Sequence, residues 1–80
     1  MKLLVRNLSR ETTQTELTAL FAEFGLVREC TLVMDKATGK SKGFGFVEMP
    51  KNLEAQAAIK GLNAKKIAGS VIRVKEAEAG

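Results

Sequence analysis

The sequence predicts an α+β fold in which four strands and two helices follow one another as βαββαβ. Three observations support this order. Two stretches near the middle of the chain have the character of strands, two other stretches carry apolar residues at helical spacing, and strand-like segments stand near both ends. Right-handed crossovers would place both helices on one face of an antiparallel sheet. The other face of the sheet is then expected to stay open.

The size and composition of the chain fit one small globular domain. It has 80 residues, of which 45% are hydrophobic and 28% are charged. We assign residues 1–77 to the domain and residues 78–80 to a short tail. The single cysteine rules out an internal disulfide framework, and no apolar run reaches the ~18 residues of a membrane helix. We therefore expect a soluble, cytoplasmic monomer with an unprocessed N-terminus and no membrane partner.

The first helix is predicted by a capping box. Thr13 is the expected N-cap and Glu16 the expected N3 residue, so that each side chain bonds the backbone of the other. Gly25 is the expected end of the helix. Four apolar residues follow the box at helical spacing and are expected in the core: Leu17, Leu20, Phe21 and Phe24.

The second helix is predicted after Pro50, which marks the exit from the third strand, and Asn52 is its expected N-cap. Gly61 is unfavourable inside a helix by up to ~1 kcal/mol and predicts early fraying. Residues 63–69 are expected to form a turn region. The residues that recur at helical spacing are Ala55, Ala58, Ile59 and Leu62.

Four segments read as strands, at residues 2–7, 27–34, 42–49 and 71–75. Side chains alternate between the two faces of a strand, so each segment has an inward and an outward set. The inward set includes Cys30, which we interpret as a small buried hydrophobe because the chain has no histidine to activate a thiol. The outward set is Lys2, Leu4, Arg6, Glu29, Thr31, Val33, Lys42, Phe44, Phe46, Glu48, Arg73 and Lys75.

The third strand, residues 42–49, reads KGFGFVEM and is the most informative segment. Phe44 and Phe46 share one face with Lys42, which is an unusual surface unless a flat, anionic molecule stacks on it. Single-stranded nucleic acid has flat bases and an anionic backbone. Gly43 and Gly45 share the opposite face and indicate that another element packs closely there.

This octapeptide resembles the signature of the RNA recognition motif, K/R-G-F/Y-G/A-F-V-x-F/Y, at seven of its eight positions. Met49 replaces the last aromatic residue and is expected to face the core. The resemblance implies RNA contacts at Lys42, Phe44 and Phe46. It also implies the strand order 4-1-3-2 within the ferredoxin-like arrangement that the order βαββαβ describes.

The second signature of this family is aliphatic-aromatic-aliphatic-x-Asn-Leu, and residues 3–8, LLVRNL, are similar to it. Leu4 takes the place of the aromatic residue on which the family usually stacks a base. Both signatures occur in the expected order and spacing, so the resemblance covers nearly the whole chain. In length, the chain resembles short single-domain bacterial RNA-binding proteins.

We therefore expect the open face to bind single-stranded RNA, or single-stranded DNA. The formal net charge of +4 favours such anionic partners. Lys40 belongs to this expected site as part of a hairpin loop that touches phosphates, and the tail is too short to cover the two phenylalanines. The expected contact residues are Lys2, Leu4, Arg6, Thr31, Val33, Lys40, Lys42, Phe44, Phe46, Arg73 and Lys75.

The alternative is a protein-interaction module on the same scaffold, with weak or no RNA binding. Relatives of that kind usually carry an aromatic residue after the second helix or lack the octapeptide aromatics. Residues 64–68 contain no aromatic residue, and the octapeptide keeps both of its phenylalanines. An enzyme is the weakest class, because the chain has no histidine, tyrosine or tryptophan and no cluster of metal ligands. We expect no cofactor.

Overall fold

The structure is a computed structural model and describes residues 1–77. The predicted tail, residues 78–80, lies outside the described residues. The elements in chain order are β1 (Lys2–Arg6), α1 (Gln14–Ala22), β2 (Glu29–Met34), β3 (Ser41–Glu48), α2 (Asn52–Leu62), β4 (Lys66–Ile67), β5 (Ser70–Val71) and β6 (Arg73–Glu76). The four longer strands form an antiparallel sheet in the order β2-β3-β1-β6. With β6 as the fourth main strand, this confirms the predicted order 4-1-3-2.

The core lies between one face of this sheet and the two helices. Alternate residues of the strands point into it, as the sequence pattern predicts. Cys30 is half-buried rather than fully buried, and this burial raises the pKa of its thiol. The strands contribute Leu3, Val5, Leu32, Val47 and Val74 to the core, and the helices contribute Leu17, Phe21, Ala55, Ala58 and Leu62.

Helix α1 begins with the predicted capping box. The backbone N–H of Glu16 donates to Thr13 Oγ1 at 3.1 Å, and the backbone N–H of Thr13 donates to Glu16 Oε1 at 3.1 Å. The helix ends at Ala22 and has Glu23 as its C-cap, shortly before the predicted stop at Gly25. The prediction of this helix is confirmed apart from its last residues, but of the expected core residues only Leu17 and Phe21 are fully buried, whereas Leu20 and Phe24 are half-buried against the core.

Helix α2 differs from the prediction at both ends. Asn52 is the first helical residue, and Lys51 takes the N-cap position without a side-chain hydrogen bond. The expected early fraying is wrong, because the helix continues through Gly61 to Leu62. A Cβ atom at Gly61 would collide with the ring of Phe24. Glycine therefore allows the ring to pack directly against the helix backbone, which explains its place there.

A small hairpin of β4 and β5 occupies part of the predicted turn region. A long-range bond fixes it, since Asn7 Nδ2 donates to the carbonyl of Val71 at 2.6 Å. The segments that flank the hairpin are joined by the N–H of Val74, which donates to Asn63 Oδ1 at 3.0 Å. Because residues 70–71 pair within this hairpin, the last main strand runs from Arg73 to Glu76, not over residues 71–75.

The other main strands differ from the prediction by one or two residues at their ends. In the part of the chain that the structure describes, no helix is long and apolar enough to span a membrane.

Candidate nucleic-acid interface

The central row of the open face contains Thr31, Phe46, Leu4 and Lys75. Leu4 on β1 pairs with Phe46 on one side and with Lys75 on the other, and Thr31 on β2 pairs with Phe46. The side chains of Leu4 and Phe46 are half-buried. The register therefore places the leucine that replaces the family's aromatic residue directly beside an aromatic ring.

Phe44 and Phe46 form an edge-to-face pair on β3. Their ring centroids are 6.4 Å apart and their planes are inclined by 86°. Lys2 Nζ lies 5.0 Å from the centroid of the Phe46 ring, within the range of a cation–π interaction. Both rings are half-buried and lie on the face opposite the helices. They offer apolar surface that the chain itself covers only partly.

The side of the face nearest the end of β1 is basic. Arg6 pairs directly with Arg73 across β1 and β6. One depression of about 540 Å³ is lined by Arg6, Arg73 and Lys75, and another of about 300 Å³ by Arg6, Arg10 and Lys42 beside Phe44. Every charged residue in these two linings is a cation. We call these residues the basic end: Arg6, Arg10, Lys42, Arg73 and Lys75.

Arg10 was not among the predicted site residues. It lies in the loop after β1, where strand alternation no longer applies. The loop stays near β3 because the N–H of Leu8 donates to the carbonyl of Gly43 at 2.8 Å. The sequence contains no local signal for this return of the loop, so only the folded chain shows that Arg10 lines a depression together with Lys42 and Phe44.

The opposite side of the face carries both signs of charge. Lys2, Glu48 and Glu29 lie next to one another on β1, β3 and β2, and we call them the mixed-charge row. With Thr31 and Phe46, this row lines a depression of about 140 Å³. Arg28 Nη1 lies 3.6 Å from Glu48 Oε1. The two ends of the open face thus differ strongly in charge.

Gly43 and Gly45 allow β3 to lie in the middle of the sheet beside β2, and each does so for a different physical reason. A Cβ atom at Gly45 would lie 2.6 Å from the carbonyl oxygen of Thr31, so the element that packs too closely for a side chain is the backbone of β2, whereas Leu17 Cδ2 of α1 lies at the ordinary contact distance of 3.4 Å. Gly43 has φ of +84°, a conformation that favours glycine. The prediction that Gly43 makes room for a neighbouring element therefore missed its main role, which is to adopt this backbone conformation.

Two predicted site residues lie in less regular surroundings. Val33 is half-buried at the point where the register of β2 and β3 shifts, between Leu32 and Met34. Lys40 is exposed and lines a depression together with Gln14 and Met34, near the start of α1. The fold does not group Lys40 with the two phenylalanines, whereas the other predicted residues lie on the strands of the open face.

Within residues 1–77, no three histidine, cysteine, aspartate or glutamate side chains are grouped so that they could hold a metal ion. The residues of the face therefore offer rings, cations, carboxylates and hydroxyls as their means of interaction.

Known proteins resemble this chain over nearly its full length. It is 44% identical to RbpA of Nostoc sp., named as a candidate RNA-binding protein, over 98% of this chain and 76% of that protein. The crystal structure of RNA Binding Protein PG1 matches with a TM-score of 0.92 and 38% identity, covering 96% of this chain and 93% of that one.

A Sxl-lethal protein/RNA complex matches with a TM-score of 0.92 and 34% identity, covering 99% of this chain and 47% of that one. The sequence model described as RNA recognition motif matches residues 3–73, a span that includes both signature segments, β2 and β3, most of β1 and the first residue of β6. The chain belongs to the RNA recognition motif family.

Proposed function

We propose that the open face of the sheet binds single-stranded RNA, with bases stacked on Phe44 and Phe46. The observation that carries this proposal is the pair of half-buried rings in the middle of a face that the helices leave uncovered. Stacking of a base on an aromatic side chain contributes roughly 1–3 kcal/mol. The matched family is described as an RNA recognition motif, and a similar protein is named for RNA binding, which supports a role in binding without catalysis.

The basic end supplies the phosphate contacts in this proposal. Lys42 is two residues before Phe44 on the same strand, and Arg10 lines the same depression as both. Arg6 and Arg73 are paired neighbours whose like charges repel, and a phosphate between them would relieve that repulsion. An RNA backbone along this end would leave its bases free to turn toward the rings.

The strand should be single, because the bases of a duplex are stacked on one another and not available to the rings. Stacking and phosphate pairing do not need the 2′-hydroxyl group, so single-stranded DNA is a second expected ligand. We propose that the protein binds as a monomer. Leu4 offers apolar contact but no π face, so we expect a dissociation constant of about 1 μM or weaker.

An NMR titration tests the proposal. Random single-stranded RNA octamers should shift the backbone amide signals of β1, β2, β3 and β6, with the largest changes near Phe44 and Phe46. A duplex of the same length is the control and should cause far smaller shifts.

The competing function is a protein-interaction module, and one feature favours it: Leu26 and Leu53 are 59% and 82% exposed. Glu54 Oε1, next to Leu53 in the chain, accepts a hydrogen bond from the N–H of Leu26 at 3.0 Å, so these two apolar residues lie in the same region. Shifts confined to the helices, or no shifts with any RNA, would contradict RNA binding at the open face and favour this alternative.

A further inference from the structure

The mixed-charge row presents its hydrogen-bonding groups in a fixed order beside Phe46. Strand pairing gives the order Lys2, Glu48, Glu29, from β1 across β3 to β2. An ammonium group only donates hydrogen bonds, and an ionised carboxylate only accepts them. A base stacked on Phe46 would therefore meet one donor followed by two acceptors along the neighbouring row.

These groups retain free bonding capacity. Arg28 approaches only one oxygen of Glu48, at 3.6 Å. Lys2 and Glu29 are exposed, and neither forms an ion pair within the described part of the chain. Lys2 Nζ lies 5.0 Å from the centroid of the Phe46 ring, so a base that stacks on this ring displaces the ammonium toward the edge of the base. Glu29 and Glu48 also stand directly opposite each other, an arrangement of like charges that lowers the stability of a sheet. A ligand that donates hydrogen bonds to both carboxylates would offset this repulsion.

We infer that the mixed-charge row selects guanine as the base stacked on Phe46, an inference that rests on the proposed function. The Watson–Crick edge of guanine carries one acceptor, O6, followed by two donors, N1–H and the 2-amino group. Facing the row, O6 meets the ammonium of Lys2, while the two donors meet the carboxylates of Glu48 and Glu29. The order of donor and acceptors along the row is thus complementary to the order of groups on the edge of guanine.

The other three bases place an acceptor opposite a carboxylate. Uracil has the order acceptor, donor, acceptor, so its O2 atom faces Glu29 and is repelled. Cytosine has the order donor, acceptor, acceptor, so at each of the three positions it presents the opposite of what the row requires. Adenine places its N1 acceptor opposite Glu48. Guanine is the only standard base whose edge avoids such a mismatch at this row.

The distribution of charge agrees with this assignment. Carboxylates repel phosphates, so they are unsuited to the path of an RNA backbone, and the basic end offers that path on the opposite side of the rings. The carboxylates then face only the edge of the base. This arrangement separates phosphate binding from base selection on one small face.

Five pentanucleotides test the inference, each with two uracils on either side of a central guanine, inosine, adenine, cytosine or uracil. Their affinities are measured by fluorescence anisotropy at one salt concentration. The uracil flanks allow the RNA to slide, so a preferred base can reach Phe46. The guanine RNA should bind at least about fivefold more tightly than the uracil RNA, in line with a good paired contact to a base edge. Inosine lacks the 2-amino group and should fall between the two.

The variant Glu29→Ala assigns the effect to the row. It should abolish the difference between guanine and inosine, because only the 2-amino group distinguishes these bases and Glu29 is its expected partner. Glu23→Ala is the matched control: it removes the same charge from the exposed C-cap of α1 and should keep the difference. Circular dichroism checks that both variants are folded.

Equal affinity for guanine, inosine and uracil would overturn the inference, and so would a full guanine preference in Glu29→Ala. If the affinities are equal and Phe46→Ala still weakens the binding of all five RNAs, the proposed function stands and only the base assignment fails. If none of the five RNAs binds, the proposed function fails and the inference fails with it.

Discussion

The two faces of the sheet use neighbouring residues of the same strands in different ways. Leu3 and Val47 are fully buried on the helix side, whereas Leu4 and Phe46 are half-buried on the open side. The first pair has its contacts within the chain, and the second keeps apolar surface that a ligand can cover. Substitutions on the helix side should therefore change the stability of the fold, and substitutions on the open side should change RNA binding.

Leu3→Ala should show the largest effect on stability. It leaves a cavity under the sheet and should lower the free energy of unfolding by about 2–5 kcal/mol, a large part of the stability of a small domain. Urea unfolding followed by circular dichroism measures the change. The folded fraction should bind RNA as the parent does. A specific loss of RNA affinity in folded Leu3→Ala would break the separation between the two faces.

Phe46→Ala should weaken RNA binding and leave the stability of the fold nearly unchanged, which is the opposite of the effect of Leu3→Ala. Losing one stacking surface of roughly 1–3 kcal/mol should weaken binding of single-stranded RNA by about fivefold to a hundredfold. Phe24→Ala is the matched control, because the Phe24 ring packs against Gly61 of α2, away from the open face. That variant should lose stability and keep its RNA affinity. Similar losses of RNA affinity in both variants would show that the effect is not local to the open face.

Leu4→Tyr should increase RNA affinity through a change on the open side of the sheet alone. The new ring would lie between Phe46 and Lys75 and provide the stacking surface that leucine lacks. We expect binding of single-stranded RNA to tighten by about fivefold to a hundredfold, with little loss of stability. Leu4→Ile is the control without a ring. If folded Leu4→Tyr binds no better than the parent, the RNA path avoids β1.

The smallest expected effects concern single phosphate contacts. Arg73→Gln should reduce the slope of log affinity against log salt concentration by about 0.7, the value for one phosphate contact with a single strand. It should also raise stability slightly, because Arg73 pairs with the like charge of Arg6. Lys40→Gln should flatten the slope less, since Lys40 lies beside Gln14 and Met34. An unchanged slope in Lys40→Gln would remove the loop from the site.

Strand alternation, helical spacing and the capping box of α1 were enough to predict the order of the main elements, whereas the strand order came from the family resemblance. The two faces of β1 and β3 follow from the pattern because outward residues such as Leu4 and Phe46 alternate with buried aliphatic ones. The hairpin of β4 and β5 could not be predicted in this way. Its strands have two residues each, and the bond from Asn7 to Val71 joins positions 64 residues apart. No local pattern carries such information.

The candidate site was predictable to a similar extent. Its aromatic residues and most of its cations lie on strands, where alternation assigns a face. Arg10 escaped prediction because it lies in a loop, and Lys40 was grouped with the aromatic residues although its loop lines a separate depression. The cation–π contact of Lys2 with Phe46 depends on pairing between distant strands, so it too required the folded chain.

The hairpin has a consequence for how copies of this chain behave at high concentration. Strand β6 is an edge of the sheet, and free N–H groups at an edge can template strand-by-strand aggregation. Here the N–H of Val74 is bonded to Asn63, and the N–H of Ile72, just before the strand, is bonded to the carbonyl of Lys65. A foreign strand approaching this edge would find both amides occupied. The segment between α2 and β6 thus occupies part of this edge, whereas β2 forms the other edge of the sheet and the open face stays uncovered.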